Sequence, residues 1–272
     1  LAASHPDAAK IAKAEFELQT HQPRPEFVNV YSTKTGGADV FLLRRGEVDN
    51  KAGKADTGFI QVLSRAERSR WVESEKTHPR IALGKWMTDE KEGAGALLAR
   101  VMVNRIWKHH FGKGIVNTAN DFGTQGDRPT HPELLDHLAS RFISDGWQMK
   151  ALHRRIVTSA AYQMGHSLDP AARKVDPENT LLWNRPARRL EAEAIRDSIL
   201  AVAGTLSSDM YGPSVANLDA TKRSIYLRVK RSELIPFLTL FDAPEPTQSI
   251  GDRGITTLPT QALTCLLYTS DA

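Results

Sequence analysis

The sequence predicts a mainly α-helical domain that follows a small β-rich segment. Apolar residues repeat at helical spacing between residues 78 and 264, with helix start and stop signals between the repeats. Before residue 78, short apolar runs alternate with polar residues as they do in strands. We therefore divide the chain into the tail of a preceding β-containing module with a linker (1–77), a helical domain (78–264) and a short tail (265–272).

Three short apolar runs mark the first segment as β-rich. We predict strands within 27–32, 39–48 and 58–63, with a turn at Gly36-Gly37 between the first two. Residues 1–20 contain many helix formers and predict the end of a helix that begins upstream. The charged stretch ERSRWVESEKTHP then links this segment to the helical domain.

Capping residues set the ends of the predicted helices in the second part. Gly112 and Gly204 each follow a helical run, where a left-handed residue commonly ends a helix. Thr130 and Glu133 have the spacing of a capping box with Pro132 in the first turn, so Thr130 is the predicted N-cap. The predicted helices cover 80–89, 97–111, 132–144, 147–164, 188–204 and 232–241, the last capped by Ser232, and an isolated strand is predicted near 222–231.

Composition and charge argue against two classes of partner. The 36 Lys and Arg residues exceed the 32 Asp and Glu residues by only four and are scattered among them, so we expect no nucleic acid as a partner. No window approaches the ~18 consecutive apolar residues of a membrane-spanning helix. The expected partners are other domains of the same parent chain.

Both ends of the sequence are typical of a metagenomic fragment. The chain begins without Met, so the absence of a targeting segment carries no information about location. The only cysteine, Cys265, stands in CLLYTSDA, which resembles translated adapter sequence. We therefore expect residues 265–272 to be non-native and expect no disulfide or thiolate metal site.

Three motif-like stretches lack the context that their chemistry needs. Asp121-Phe122-Gly123 has no Gly-rich loop, strand lysine or catalytic loop of a kinase around it. Gly112-Lys113-Gly114 follows a helix and lacks the third glycine of a dinucleotide-binding fingerprint. Ser159 and His153 lie six residues apart on one predicted helix and face different sides, which argues against a nucleophilic triad.

The loop 117–131 is the predicted location of a site, if the domain has one. It is rich in polar residues, Gly and Pro, and it lies between two helices that hold its ends. The alternative is that Asp121 and Asp127 make Asx turns that only fix the loop. The candidate polar site, which includes residues of the preceding helix, comprises Arg105, His109, His110, Asp121, Asp127 and His131.

Clustered histidines raise the question of a metal site. Imidazole and carboxylate groups together bind Zn²⁺ or Fe²⁺ in many proteins. However, no HExxH or HxH spacing occurs, and adjacent residues such as His109 and His110 point about 100° apart on a helix. We predict no metal site and assign the histidines to capping and polar packing. They are His109, His110, His131, His137 and His153.

Charged residues at helical spacing predict a structural ion network of Arg189, Glu193, Arg196 and Asp197. Flanking arginines keep both carboxylates ionised, which favours a structural role over paired acid–base chemistry; a polar ligand pocket is the alternative. We expect Arg105, Arg189, Glu193 and Arg196 to be buried and bonded to one another, because an unpaired charge beside an apolar stripe is costly.

Several long stretches of the sequence together carry a resemblance to a known family. They run from ARVMVNRIWKHHFGKGIVNTANDFGTQGDRPTHPELLDHLASRFISDGWQMKALHRRIVTSAAYQM through DPENTLLWNRPARRLEAEAIRDSILAVAGTL, GPSV, RSIYLRVKR and FDAPEP to TTLPTQAL. These stretches resemble the PSD-one family, the Planctomycete-specific domain of unknown function. The resemblance covers about residues 78–264 in the family's order, and VFLLRRGEV resembles the segment that precedes this domain.

This resemblance implies a context rather than a reaction. Members are large proteins that are usually exported and often carry a cytochrome c module, which implies a periplasmic or cell-envelope location. The family has no assigned catalytic residues, so none can be transferred. The haem-binding CxxCH is absent here, so we expect no cofactor in this chain and haem only elsewhere in the parent protein.

Three functions are therefore open, and the sequence does not decide whether the protein is an enzyme. The first is a non-catalytic module of a large extracytoplasmic, cytochrome c-linked protein, which a CxxCH motif upstream in the gene would favour. The second is an enzyme that acts on polysaccharide through the 117–131 loop, which a cleft gathering Arg105, Asp121 and His131 would favour. The third is a partner-docking scaffold, which an uncharged apolar patch without a cleft would favour.

Overall fold

The computed structural model of the chain describes residues 39–55, 58–74, 77–166, 169–185, 187–215 and 220–270, with side chains up to residue 264. The described chain is mostly helical, with a small two-stranded antiparallel sheet near its start, which confirms the predicted fold class. It divides into two compact units, one of residues 39–188 and one from residue 189 onward. No division at residue 189 was predicted from the sequence.

The small sheet is a hairpin of β1 (Phe41–Leu43) and β2 (Lys51–Lys54). Phe41 pairs with Lys54 across the hairpin, and a 3₁₀ turn at Arg44–Gly46 follows the first strand. The hairpin forms within the predicted strand segment 39–48 and the charged residues after it.

The strand predicted within 58–63 is not formed. Residues Gln61–Leu63 make a 3₁₀ turn, and the hydroxyl of Ser64 donates to the carbonyl oxygen of Ile60 at 3.0 Å. A local side-chain bond of this kind competes with strand pairing. The predicted helix over 1–20, the strand within 27–32 and the turn at Gly36-Gly37 lie outside the described residues.

The first helix, α1 (Pro79–Thr88), forms where the sequence predicts it. Its N-cap is His78, whose Nδ1 accepts a hydrogen bond from the N–H of Arg80. The buried face carries Trp86, which packs with Trp71 in a small apolar cluster. This cluster joins α1 to the segment that was predicted as a linker.

Three helices form the main core of the first unit: α2 (Gly95–Phe111), α3 (Pro132–Ser144) and α4 (Met149–Val157). Helix α2 ends at Gly112, whose φ of 88° suits glycine, as predicted. Buried residues at helical spacing meet in one cluster, which explains the apolar periodicity of the sequence. The cluster comprises Ala99, Val103, Ile106, Trp107, Phe111, Ile115, Val116, Leu135, Leu138, Ala139, Phe142, Leu152 and Ile156.

The start of α3 corrects the predicted capping box. The helix begins at Pro132, as expected, but His131 rather than Thr130 is the N-cap residue. The backbone N–H of Thr130 donates to the carbonyl oxygen of Ile115 at 2.9 Å, and its hydroxyl lies 3.2 Å from the same oxygen. The Thr130 hydroxyl therefore joins the two ends of the loop instead of capping the helix.

The helix predicted over 147–164 is broken into α4 and a short α5 (Ala160–Gln163). The hydroxyl of Thr158 donates to the carbonyl oxygen of Arg154 at 2.8 Å, and Ser159 accepts from the N–H of Tyr162 as the cap of α5. Such hydroxyls offer the backbone an alternative to the helical pattern. A further helix that was not predicted, α6 (Pro170–Val175), follows.

The second unit contains α7 (Ala192–Val202), α8 (Pro236–Leu240) and α9 (Pro259–Ser270). Helix α7 begins four residues later than predicted and is followed by Gly204 at a φ of 72°, as expected. Helix α8 has Ile235 rather than Ser232 as its N-cap, because Pro236 occupies the first helical position, which it suits.

The isolated strand predicted near 222–231 is reduced to single bridges. Residues Ser224–Tyr226 make a 3₁₀ turn, Leu227 bridges Val215, and Lys230 bridges Glu233. Side chains of α7 hold the backbone here, since the carboxylate of Asp197 accepts the N–H of Ser224 at 2.7 Å. The apolar alternation of this segment therefore fits a turn held against a helix.

No helix in the described part of the chain combines the length and the apolar character needed to cross a membrane.

Candidate functional site

The loop 117–131 is anchored by a buried asparagine on α2. The side chain of Asn104 is fully buried, its Nδ2 donates to the carbonyl oxygen of Val116 at 2.8 Å, and its Oδ1 accepts the N–H of Val116 at 2.8 Å. A Cβ on Gly114 would overlap the carbonyl oxygen of Val116 and crowd the Asn104 amide. The entry to the loop therefore depends on a close approach that only glycine permits.

Within the loop, polar groups bond mainly to one another. The hydroxyl of Thr118 donates to the carbonyl oxygen of Asp121 at 2.8 Å and accepts the N–H of Asp127 at 2.9 Å. The carboxylate of Asp121 accepts the N–H of Gly123 at 2.8 Å, which is an Asx turn. These bonds use the side chains of Thr118 and Asp121 to hold the shape of the loop.

The predicted site residues do not all lie at the loop: Arg105 and His131 do, whereas His110 lies against α4. Arg105 reaches the loop, where its Nη2 donates to Asn120 at 2.7 Å, and His131 lies 3.0 Å from the hydroxyl of Thr130. His110 turns elsewhere, because residues five positions apart on a helix point about 140° apart. Only part of the candidate set therefore meets at the loop.

A pair of histidines forms the second polar site of this unit. The Nε2 of His110, on the last turn of α2, lies 2.8 Å from the Nδ1 of His153 on α4. The two rings meet edge to face with centroids 5.0 Å apart, and Tyr162 lies against His110 with centroids 5.4 Å apart. Both histidines are partly exposed, so the pair is open to solvent on one side.

Arginines surround this histidine pair. The guanidinium of Arg185 lies 3.8 Å from the ring centroid of Tyr162, and its Nη1 donates to the carbonyl oxygen of Tyr162 at 3.2 Å. Arg188 donates to the backbone carbonyl oxygen of His109. Burial lowers the pKa of His110 below its ordinary value, and the nearby charges of His153, Arg185, His109 and Arg188 lower this pKa further.

Both histidines were among the clustered histidines of the sequence, but no contact between them was predicted. They lie 43 residues apart on different helices, and no spacing rule connects them. Within the described residues, no group of three or more His, Cys, Asp or Glu side chains lies close enough to hold a metal ion.

The charged residues of α7 have partners that differ from the predicted network. Arg196 is buried and donates to Ser224 and to the carbonyl oxygens of Ala220 and Lys222. It also lies 3.7 Å from Asp197, so these two members of the predicted network form a salt bridge, although they were not predicted to pair with each other.

The other charged residues are partly exposed. Glu193 pairs with Arg253 at 2.6 Å, Arg189 lies 3.6 Å from Asp242, and Arg105 is exposed. Burial, the largest single effect, raises the pKa of Glu193, but the hydrogen bond from Arg253, a backbone hydrogen bond and the positive charge of Arg253 together hold the pKa below its usual value. Because α7 begins only at Ala192, Arg189 is outside the helix and cannot pair with Glu193 at helical spacing.

A cavity of about 740 Å³ lies in the first unit, against α1. None of the predicted site residues lines it. It is lined by Gly58, Phe59, Arg68, Ser69, Val72, Ser74, Thr77, Pro79, Arg80, Ala82 and Leu83.

The protein is therefore a mainly helical protein whose first unit carries an anchored polar loop, residues 117–131, and a pair of histidines, His110 and His153. The chain belongs to the PSD1 family, described as a protein of unknown function (DUF1553), whose sequence model matches residues 79–267. This match confirms the resemblance found in the sequence. No curated protein and no solved structure matches the chain.

Proposed function

We propose that the helical domain is a non-catalytic module of a large extracytoplasmic protein that also carries a cytochrome c module. The observation that supports this proposal is the bonding of the 117–131 loop. Thr118 and Asp121 hold the loop itself, and Asn104 and Thr130 fix its ends. Of the candidate site residues, Asp121 is used in this bonding and Arg105 bonds Asn120, which favours a structural role for the loop.

The cytochrome c link and the location rest on the family resemblance. A c-type haem is attached through a CxxCH motif, and this chain has a single cysteine. Its residues therefore do not suit covalent haem, which would be held by another part of the parent protein. The contribution of this domain is then a stable surface for the other domains of the same chain.

The localisation can be tested on the intact parent protein in its native cells. Cell fractionation followed by a haem stain should find the protein in the envelope fraction with covalently attached haem. A haem-free protein in the cytoplasmic fraction would contradict the proposal.

The non-catalytic role can be tested by a turnover screen of the purified chain against a panel of polysaccharides. We expect no turnover. Turnover that is lost in Asp121→Ala and His131→Ala, but retained in the exposed control Glu133→Gln, would instead establish an enzyme at the loop. Asp121→Asn separates the two roles, since it keeps the acceptor of the Asx turn and removes the carboxylate.

A further inference from the structure

We propose that the pair of His110 and His153, together with Arg185 and Arg188, binds a tetrahedral oxyanion such as a sulfate or phosphate group. The proposal is independent of the function proposed above and concerns a different surface from the 117–131 loop. The proposal rests on three observations: each ring has one nitrogen that the bond between the rings does not use, positive charges lie nearby, and the two arginines have further N–H groups to donate.

The direct bond between the rings uses one nitrogen of each. Nε2 of His110 and Nδ1 of His153 share a proton at 2.8 Å, which leaves Nδ1 of His110 and Nε2 of His153 for other partners. Within the described residues, neither outer nitrogen has a hydrogen-bonding partner. Because a neutral imidazole has one donor and one acceptor, the neutral pair presents one outer donor and one outer acceptor.

Uptake of one proton changes the pair into a double donor. The added proton binds the outer nitrogen that was an acceptor, while the proton between the rings stays in place. The inter-ring bond is then retained, and both outer nitrogens carry N–H groups. A sulfate or phosphate oxygen accepts such charge-assisted hydrogen bonds strongly.

The charges that face His110 favour an anion over a cation. Arg185 and Arg188 come from the segment after α6, His109 from the same helix, and His153 from α4; all four hinder protonation of His110. The carboxylates of Glu178 and Asp145, on the segments that precede Arg185 and α4, already have basic partners in Lys113 and Arg155. A metal ion would be repelled by this field, whereas an anion would neutralise it.

The arginines are held in place and still have donors to offer. Arg185 stacks on Tyr162 and bonds its carbonyl oxygen through Nη1, and Arg188 bonds the carbonyl oxygen of His109. A guanidinium has five N–H donors, so these contacts leave several for an oxyanion. Fixed side chains lose little further entropy when they bind a ligand.

The experiment is a titration of the intact chain with sulfate. Binding is measured by isothermal titration calorimetry and by the NMR chemical shifts of the histidine rings. Ionic strength is held constant with sodium chloride, and the titration is run at pH 7.5, 6.5 and 5.5. Sulfate keeps its charge over this range, so the pH dependence belongs to the protein. Since binding takes up a proton, we expect saturable binding whose affinity rises toward acid pH, by up to about tenfold per pH unit.

Inorganic phosphate at pH 5.5 distinguishes the two sources of the oxyanion. Tighter sulfate binding assigns the site to a sulfate group, and tighter phosphate binding assigns it to a phosphate group. Either result supports the proposal. Absence of saturation with both anions, or an affinity for sulfate that does not change with pH, overturns it.

Matched variants separate a specific site from general attraction to a basic surface. His153→Gln and Arg188→Gln should each weaken sulfate binding by about tenfold or more, since each removes a charge-assisted donor. Arg154→Gln removes one positive charge from the exposed side of α4, next to His153, and should change the affinity by less than about twofold. Arg188 is exposed, so its variant answers the question even if His153→Gln does not fold. An equal loss in Arg154→Gln and Arg188→Gln contradicts the proposal.

Discussion

Asn104 and His110 lie six residues apart on α2. The polar side chain of Asn104 bonds the start of the 117–131 loop, whereas that of His110 bonds α4. The amide of Asn104 is fully buried, and both of its polar atoms bond the backbone of Val116. The ring of His110 is partly exposed, and one of its two nitrogens is hydrogen-bonded to His153. Arg185 and Arg188 are among the charged groups near it. A buried polar group whose bonds are all internal stabilises the fold, whereas an open group with an unused nitrogen can bind a ligand.

The strongest test of the first region is removal of the Asn104 amide. Asn104→Ala leaves the N–H and the carbonyl of Val116 without their partners, and each buried unsatisfied group costs about 1–3 kcal/mol. We expect a loss of roughly 3 kcal/mol in the free energy of unfolding, measured by chemical denaturation with Trp fluorescence. The control is Asn117→Ala, an exposed loop position, which should stay within about 0.5 kcal/mol of wild type. Equal stability of the two variants would show that Asn104 is not an anchor.

A second test adds atoms at the same anchor. Gly114→Ala places a methyl group against the carbonyl oxygen of Val116 and should destabilise the chain by about 2 kcal/mol, because overpacking forces the backbone to shift. Gly84→Ala is the matched control, since a methyl group there meets no atom within 4 Å. Inside α1 this change should stabilise the chain by about 0.5–1 kcal/mol. The comparison fails if both alanine variants shift the unfolding midpoint in the same direction.

A third test concerns how the loop closes on α3. Thr130→Val keeps the shape of the side chain and removes a hydroxyl that lies 3.2 Å from the carbonyl oxygen of Ile115. The expected cost is about 1 kcal/mol, the usual net contribution of one hydrogen bond. Thr124→Val, at an exposed position of the same loop, should be close to neutral. Hydrogen exchange adds the location: the lost protection should appear at the N–H of Thr130 rather than in the first turn of α3.

The smallest expected effect is the pH dependence of the histidine pair. The pKa of His110 in the folded chain lies below its ordinary value of 6.5, so folding favours the neutral ring. Its stabilising effect is therefore complete above about pH 6.5 and is lost as the pH falls through the folded pKa. The stabilising effect of the carboxylates with lowered pKa values is lost only below their ordinary values of 3.8 and 4.5, so it stays constant over the range from pH 7.5 to 5.5 in which the change at His110 is measured.

Thermal unfolding across that pH range provides the measurement. The midpoint should fall toward pH 5.5 in wild type and change less in His110→Gln, which cannot take up the proton. Addition of sulfate should reduce the fall, because a bound anion favours the protonated pair. A wild-type midpoint that rises toward pH 5.5 without added anion would mean that the positive field around His110 is weaker than described.

Most of the fold was accessible from sequence because helix ends are set locally. Gly112 and Gly204 were predicted as helix ends, Pro132 as a helix start, and all three lie where expected. The failures are also local in origin. Thr158 and Ser159 break a predicted helix through hydroxyl bonds of the kind that periodicity does not register.

Less of the site could be predicted. The loop 117–131 was recognised from its composition, and Arg105 does reach it. The histidine pair was missed because its members meet only when α2 packs beside α4. For a related reason the predicted ion network omitted the backbone carbonyl oxygens, 24 and 26 residues away, that accept hydrogen bonds from Arg196.

The sequence by itself determined the family, the helical class and many helix boundaries, because these depend on periodicity and on residues within one or two turns. Only the tertiary structure decided which polar side chains form hydrogen bonds that hold the fold and which have groups that are available to a ligand. Thr130 bonds Ile115 across the loop, and His110 bonds His153 across two helices. The energy of such bonds depends on the burial and orientation of residues far apart in the chain, and a linear pattern does not contain that information.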